Sequence, residues 1–164
     1  MSTRIDSDVY VNGNLNSLTM SIPAGTITNT AVNAAADIAA TKLEHRSKIL
    51  YAQESATNAA DESRVVYCCY GATGTIIAFE AGSVVVATGN ATCTVDLKKN
   101  GTSVLSAPIT LDSTNTIMVA EAGTVTTTAI ADGNVLEVVI DGTAGTGALA
   151  KGIFASIVLD EKAN

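Results

Sequence analysis

The chain has 164 residues, of which 47% are hydrophobic and 15% charged, and its net charge is −7. A length of this order holds one ordinary domain with an appendage. Nucleic-acid binding needs clustered Lys and Arg, and here the basic residues are scattered. An apolar run of about 20 residues is needed to span a bilayer, and none occurs. Neither a nucleic acid nor a membrane is therefore expected as a partner.

Aromatic residues make up only 4% of the chain, with no Trp and two Phe. Ala, Val, Thr, Ile and Gly are left to fill the interior. Stiff, β-branched side chains suit a pleated, half-buried surface, so sheets are favoured over a helical bundle. The opening residues, Met1 to Asp8, lack the apolar stretch of a signal peptide. They predict a product retained in a cytoplasm or released by lysis.

Residues 1–22 read as an extended arm. Val9, Val11, Leu15 and Leu18 are spaced among Asn, Ser, Asp and Gly, with a turn signal at Asn12-Gly13-Asn14. So little apolar mass leaves two options, disorder or folding onto a partner. Pro23-Ala24-Gly25 punctuates its end. Residues 23–45 form an Ala-rich linker in which Ile27, Ala31, Ala34, Ile38 and Thr41 recur at the 4-3-4-3 spacing of a coiled-coil seam, with Asn29 or Asp37 available as N-cap. A lone helix of this length is marginal in water, so the seam needs copies of itself or the body to pack against. Small side chains along it permit close approach of several chains, and a trimer is the favoured arrangement.

Residues 46–164 change character. Short runs rich in Val, Ile and Thr alternate with turn residues and predict strands at 48–53, 64–70, 74–80, 83–88, 91–98, 103–111, 116–120, 125–129, 135–141 and 152–160. Asn100-Gly101 between two alternating runs is a hairpin signal. In the last strand Ile153, Ala155, Ile157 and Leu159 share one face; in the one before, Leu136, Val138 and Ile140 do. The polar connector 54–62 has room for a helical turn. Roughly eight to ten strands with no intervening helix predict a two-sheet β-sandwich or barrel, with a jelly roll the first choice.

Two stretches carry a family resemblance. Ile22-Pro-Ala-Gly-Thr-Ile-Thr-Asn-Thr-Ala-Val-Asn-Ala-Ala-Ala-Asp-Ile-Ala-Ala-Thr-Lys-Leu-Glu-His45 is similar to the linker before the body of tailed-bacteriophage head-fibre and capsid decoration (cement) proteins. The C-terminal run from Asp132 to Glu161, with Thr94-Val-Asp-Leu-Lys-Lys-Asn-Gly101, resembles the closing part of their β-sandwich. The resemblance covers about half of the chain, through motifs rich in Ala, Thr and Gly. It implies a homotrimer on the virion's capsid exterior, the arm clamping the major capsid protein and the body facing outward. On that reading Val9, Tyr10, Val11, Leu15 and Leu18 meet the shell, and Ile27, Ala31, Ala34, Ile38 and Leu43 form the oligomer interface.

No catalytic, cofactor or metal site is expected. Cys68, Cys69 and Cys93 form no CxxC pair, and adjacent cysteines point to opposite faces of a strand. They predict buried free thiols, with a bridge from Cys93 to one of the others as the alternative. His45, the single histidine, reads as a polar hinge; a dyad with Cys93 is the minor option. Asp96, Asp112, Glu121 and Glu137 read as solvent-facing charges rather than a glycosidase pair, because aromatic sugar platforms are scarce. Lys98-Lys99 reads as a solvated hairpin tip. Gly142, Gly145 and Gly147 lack the phosphate-loop pattern and predict a flexible turn. Asp6 and Asp8 lack the remaining ligands of a calcium loop. The competing function is a receptor- or glycan-binding fibre module for a host-surface ligand, with Tyr51, Tyr67 and Tyr70 as its aromatics. An enzyme is the third option.

Overall fold

The computed structural model describes residues 45–163, all within the second of the two units into which the chain divides, Ile38–Asn164. Every arm and seam candidate, from Val9 to Leu43, lies outside the described residues, as do Asp6 and Asp8.

The described residues contain ten strands and no helix. The strands are β1 (His45–Ala52), β2 (Glu62–Cys68), β3 (Ala72–Val85), β4 (Thr92–Lys99), β5 (Thr102–Ser103), β6 (Ile109–Leu111), β7 (Glu121–Gly123), β8 (Ala129–Ile130), β9 (Val135–Thr143) and β10 (Lys151–Ala163). They form two antiparallel sheets. The first runs β1-β10-β3-β7, with β8 also on β3; the second runs β2-β9-β4-β5, with β6 also on β4.

The pairings are nested. β1 pairs with β10, β2 with β9, β3 with β7 and β8, and β4 with β5 and β6. The centre of this nest is the turn at Asn100-Gly101. Both residues take positive φ, 50° and 81°, as a two-residue primed hairpin turn requires. The described residues are thus laid out as one long antiparallel hairpin whose successive strand pairs alternate between the sheets.

Alternation drives the core. Ile153, Ala155, Ile157 and Leu159 of β10, Leu136, Val138 and Ile140 of β9, and Cys93, Val95 and Leu97 of β4 are all buried, joined by Ile76 and Phe79 of β3. Each fully buried Leu, Ile or Phe contributes roughly 1.5–3 kcal/mol of burial free energy.

Several expected boundaries move. The strands expected at 74–80 and 83–88 are continuous through Gly82, because Gly82 takes no turn conformation and lies beneath the Phe154 ring. The strand expected at 103–111 breaks around Pro108, which has no N–H to donate to a ladder. The run 116–120 is a loop: Val119 N donates back to Thr116 O at 3.2 Å, and Met118 adopts φ 60°. Of 125–129 only the end joins a strand, although Val125 makes an isolated bridge with Leu105. The connector after β1 holds a single hydrogen-bonded turn, Thr57 N to Glu54 O at 3.1 Å.

Candidate functional site

β1 and β2 are the outermost strands of their sheets, and the side chains between them join the two layers. Tyr51 of β1 is 3% exposed, and its hydroxyl donates to Glu62 Oε2 of β2 at 2.5 Å. Tyr67 of β2 reaches the other way and donates to Glu161 of β10, whose second oxygen accepts from Ser47 Oγ at 2.7 Å. Two tyrosine–carboxylate bonds therefore cross between the sheets. Burial, reinforced by the adjacent Glu62 carboxylate, pushes the Tyr51 hydroxyl up to about 12. The hydroxyl in turn holds Glu62 below the usual carboxylate range. Burial also raises Tyr67, with Glu161 adding to it.

A cleft of about 330 Å³ opens beside this bridge, lined by Gln53, Glu54, Thr57, Asn58, Glu62 and Arg64 with Ala52 and Ala60. Gln53 Nε2 donates to Ala60 O at 2.9 Å and to Glu62 Oε2 at 3.3 Å, while Gln53 Oε1 accepts from Ala60 N. Arg64 Nη2 pairs with Glu62 Oε1 at 2.7 Å, and its guanidinium lies 5.6 Å from the centre of the Tyr51 ring. The wall is an ionised carboxylate, a guanidinium and amides in a fixed arrangement. Such groups can exchange hydrogen bonds with a polar, hydroxyl-rich ligand.

No protein-family model matches this chain, and no curated protein matches it.

The residues considered for chemistry are dispersed. His45 is exposed at the start of β1 in the first sheet, whereas Cys93 is buried in β4 of the second. Burial, aided by Asp141 and Asp61, pushes the Cys93 thiol up to about 11, which keeps it a neutral core hydrophobe. All three cysteines are free; Cys69 and Cys93 are buried, but Cys68, the last residue of β2, is exposed, against the expectation that all three are buried. Asp96 is not solvent-facing as expected: it is buried and accepts from Ser103 Oγ at 2.7 Å. Asp112 accepts from Thr114 N and Oγ1, Glu121 from Asn115 Nδ2, and Glu137 from Ser63 Oγ. Among the described residues no group of three or more His, Cys, Asp or Glu is placed to hold a metal.

Lys98 and Lys99 end β4 and lead into the hairpin turn, and Lys99 Nζ donates to Ala129 O at 2.8 Å. The glycine-rich turn is pinned by several bonds. Asn90 Oδ1 accepts from Thr146 N and Oγ1, Thr88 Oγ1 from Ala148 N, and a Cβ on Gly147 would overlap Thr88 O at 1.7 Å. Gly147 serves close backbone packing, and Gly145 takes a positive φ against the Asn90 side chain. Of the tyrosines, Tyr70 is 91% exposed and Tyr51 is spent on the inter-sheet bond.

The sequence reading missed Gln53, Asn58, Glu62 and Arg64 as neighbours, because a connector and two different sheets bring them together. It also missed the display of Ile117, Met118 and Val119, all exposed. Three consecutive large apolar residues break strand alternation, and that was the available signal.

Proposed function

We propose that this chain is a non-catalytic structural protein of a tailed-phage virion, a homotrimeric decoration or head-fibre protein on the capsid exterior. Residues 1–22 would grip the major capsid protein, residues 23–45 join the copies, and the sandwich face outward. One observation supports this reading beyond the resemblance in the linker and C-terminal run. With β5 and β6 in line on β4, and β7 and β8 in line on β3, the nested pairs give eight strand positions wound from one long hairpin. Such a layout supports the jelly-roll reading of the sandwich, and jelly rolls are an architecture of viral capsid domains.

Three arms acting together would raise avidity by about 10²–10⁴ over a single arm, so weak contacts would suffice. Deleting residues 1–22 tests the reading. The truncated protein is expected to keep the circular dichroism and melting of the intact chain and to lose binding to purified shells. Retained decoration would remove the role of the arm.

The polar cleft beside Tyr51–Glu62 favours a second reading, a glycan-binding module, since jelly rolls also serve as lectin domains. A glycan array run with intact protein and with Asn58→Ala tests it. Specific signals abolished by the substitution would support a lectin, and silence from the intact protein would remove it.

A further inference from the structure

The outward side of the first sheet has an unusual composition. The register places Ala52, Phe154 and Gly82 in one row, Leu50, Ser156, Glu80 and Ala122 in the next, then Lys48, Val158 and Ala78, and finally Arg46, Asp160 and Thr75. Leu50 is 73% exposed. The Phe154 ring lies across Gly82, where a Cβ would come within 2.6 Å of both the ring and Val119 O. The loop carrying Ile117, Met118 and Val119 therefore folds onto this face. It is held by Met118 N donating to Ser83 O at 3.0 Å and by the left-handed backbone of Met118, a conformation uncommon for a residue with a side chain. One end of the face thus displays Leu50, Ala52, Phe154 and Ile117 to Val119, with Glu80 as the charge beside them.

We propose that this face, centred on Leu50, Phe154 and the 116–119 loop, packs against a second copy of the chain. The inference rests on the oligomer reading above and names the surface through which the bodies meet. Two observations select a second copy as occupant. First, the 44 residues before His45 enter the body through β1, the edge strand of this same sheet. Copies joined by their linkers would stand side by side and parallel, with each Leu50 at the same height, about 17 Å along the strand from His45. Tethering raises the local concentration of one body around another, so a modest apolar patch suffices. Second, the charges on this face, Arg46, Lys48 and Lys162 against Glu80 and Asp160, are near balance although the chain carries −7. Acidic copies can meet here without strong repulsion.

The test uses the full chain and the variant Leu50→Glu/Met118→Glu, both changes being at exposed positions. Light scattering across a dilution series, paired with amide hydrogen exchange, is the readout. The intact chain is expected to be oligomeric, with amides of 47–52 and 116–119 protected at high concentration. The variant is expected to keep its melting temperature, to dissociate at a concentration at least about tenfold higher, and to lose that protection. A strictly monomeric intact chain would overturn the oligomer reading and this inference together. An oligomeric intact chain with an unchanged variant and no concentration-dependent protection would overturn this inference alone. A variant that assembles normally but no longer binds shells would also overturn it, because the face would then belong to the capsid contact.

Discussion

The two sheets contribute equally greasy inner faces, yet their outer faces differ. On the second sheet the outward positions of β2, β9, β4 and β6 are Ser63, Glu137, Asp141, Thr143, Thr92, Thr94, Asp96, Lys98 and Thr110, with Val65, Cys68, Val135 and Val139 as the apolar exceptions. On the first sheet the charges Arg46, Lys48, Glu80, Asp160 and Lys162 alternate with Leu50, Ala52, Ala78, Phe154 and Val158, overlain at one end by the 116–119 loop. Polar alternation is what a sheet shows when one side faces water. Neither outer face is continuously apolar, but at one end of the first sheet Leu50, Phe154 and the 116–119 loop gather larger apolar side chains, and it is there that the proposed contact falls. On the proposal above, the difference separates side chains that build the fold from side chains kept for a contact outside it.

The largest effect should distinguish inner from outer apolar residues on the first sheet. Leu159→Ala empties a fully buried position and is expected to cost about 2–5 kcal/mol in denaturant unfolding. Leu50→Ala, at a mostly exposed position, should stay within about 0.5 kcal/mol when measured on dissociated protein. Equal costs would erase the distinction. Gly82→Ala comes next. The new methyl group must displace a backbone carbonyl as well as the tip of a ring, so a loss of about 1–3 kcal/mol is expected. The Met118 amide should exchange faster if the loop lifts from the face.

Tyr51→Phe should cost about 1–2 kcal/mol, because it removes a charge-assisted bond between the sheets while keeping the ring. The same bond predicts a pH dependence. Tyr51 is raised in the folded state, so its contribution is complete below pH 10 and is lost as pH climbs from 10 towards about 12. Glu62 is lowered, so its contribution is present above its ordinary value and declines as pH falls through the folded value. Melting curves of Tyr51→Phe should be flatter at both extremes than those of the parent. The smallest effect is expected on the polar outer face, where Thr94→Ser should change stability by less than about 0.5 kcal/mol. A larger change would mean that this face, too, has a role beyond solvation.

Much of the body was legible in advance. The buried faces of β9 and β10, the hairpin at Asn100-Gly101 and the all-β class all follow from local pattern. The candidate site was not. Tyr51 read as an available aromatic, but its hydroxyl is committed to Glu62, eleven residues later and in the opposite sheet. Asp96 read as a surface charge because a strand's alternation puts it outward, yet Ser103, across the hairpin, covers it. The 116–120 run had the composition of a strand and became a loop because Gly82 leaves room for it on the sheet beneath.

The sequence by itself determined which residues alternate, where the chain must turn and which side of each long strand is buried, because those properties depend on neighbours one to four positions away. Only the tertiary structure decided how strands are shared between sheets, which tyrosines bridge them and which outer face gathers Leu50, Phe154 and the 116–119 loop. Partners such as Ser47 and Glu161 are 114 residues apart along the chain. Their meeting is set by the closure of the whole nested hairpin, which no local window of sequence contains.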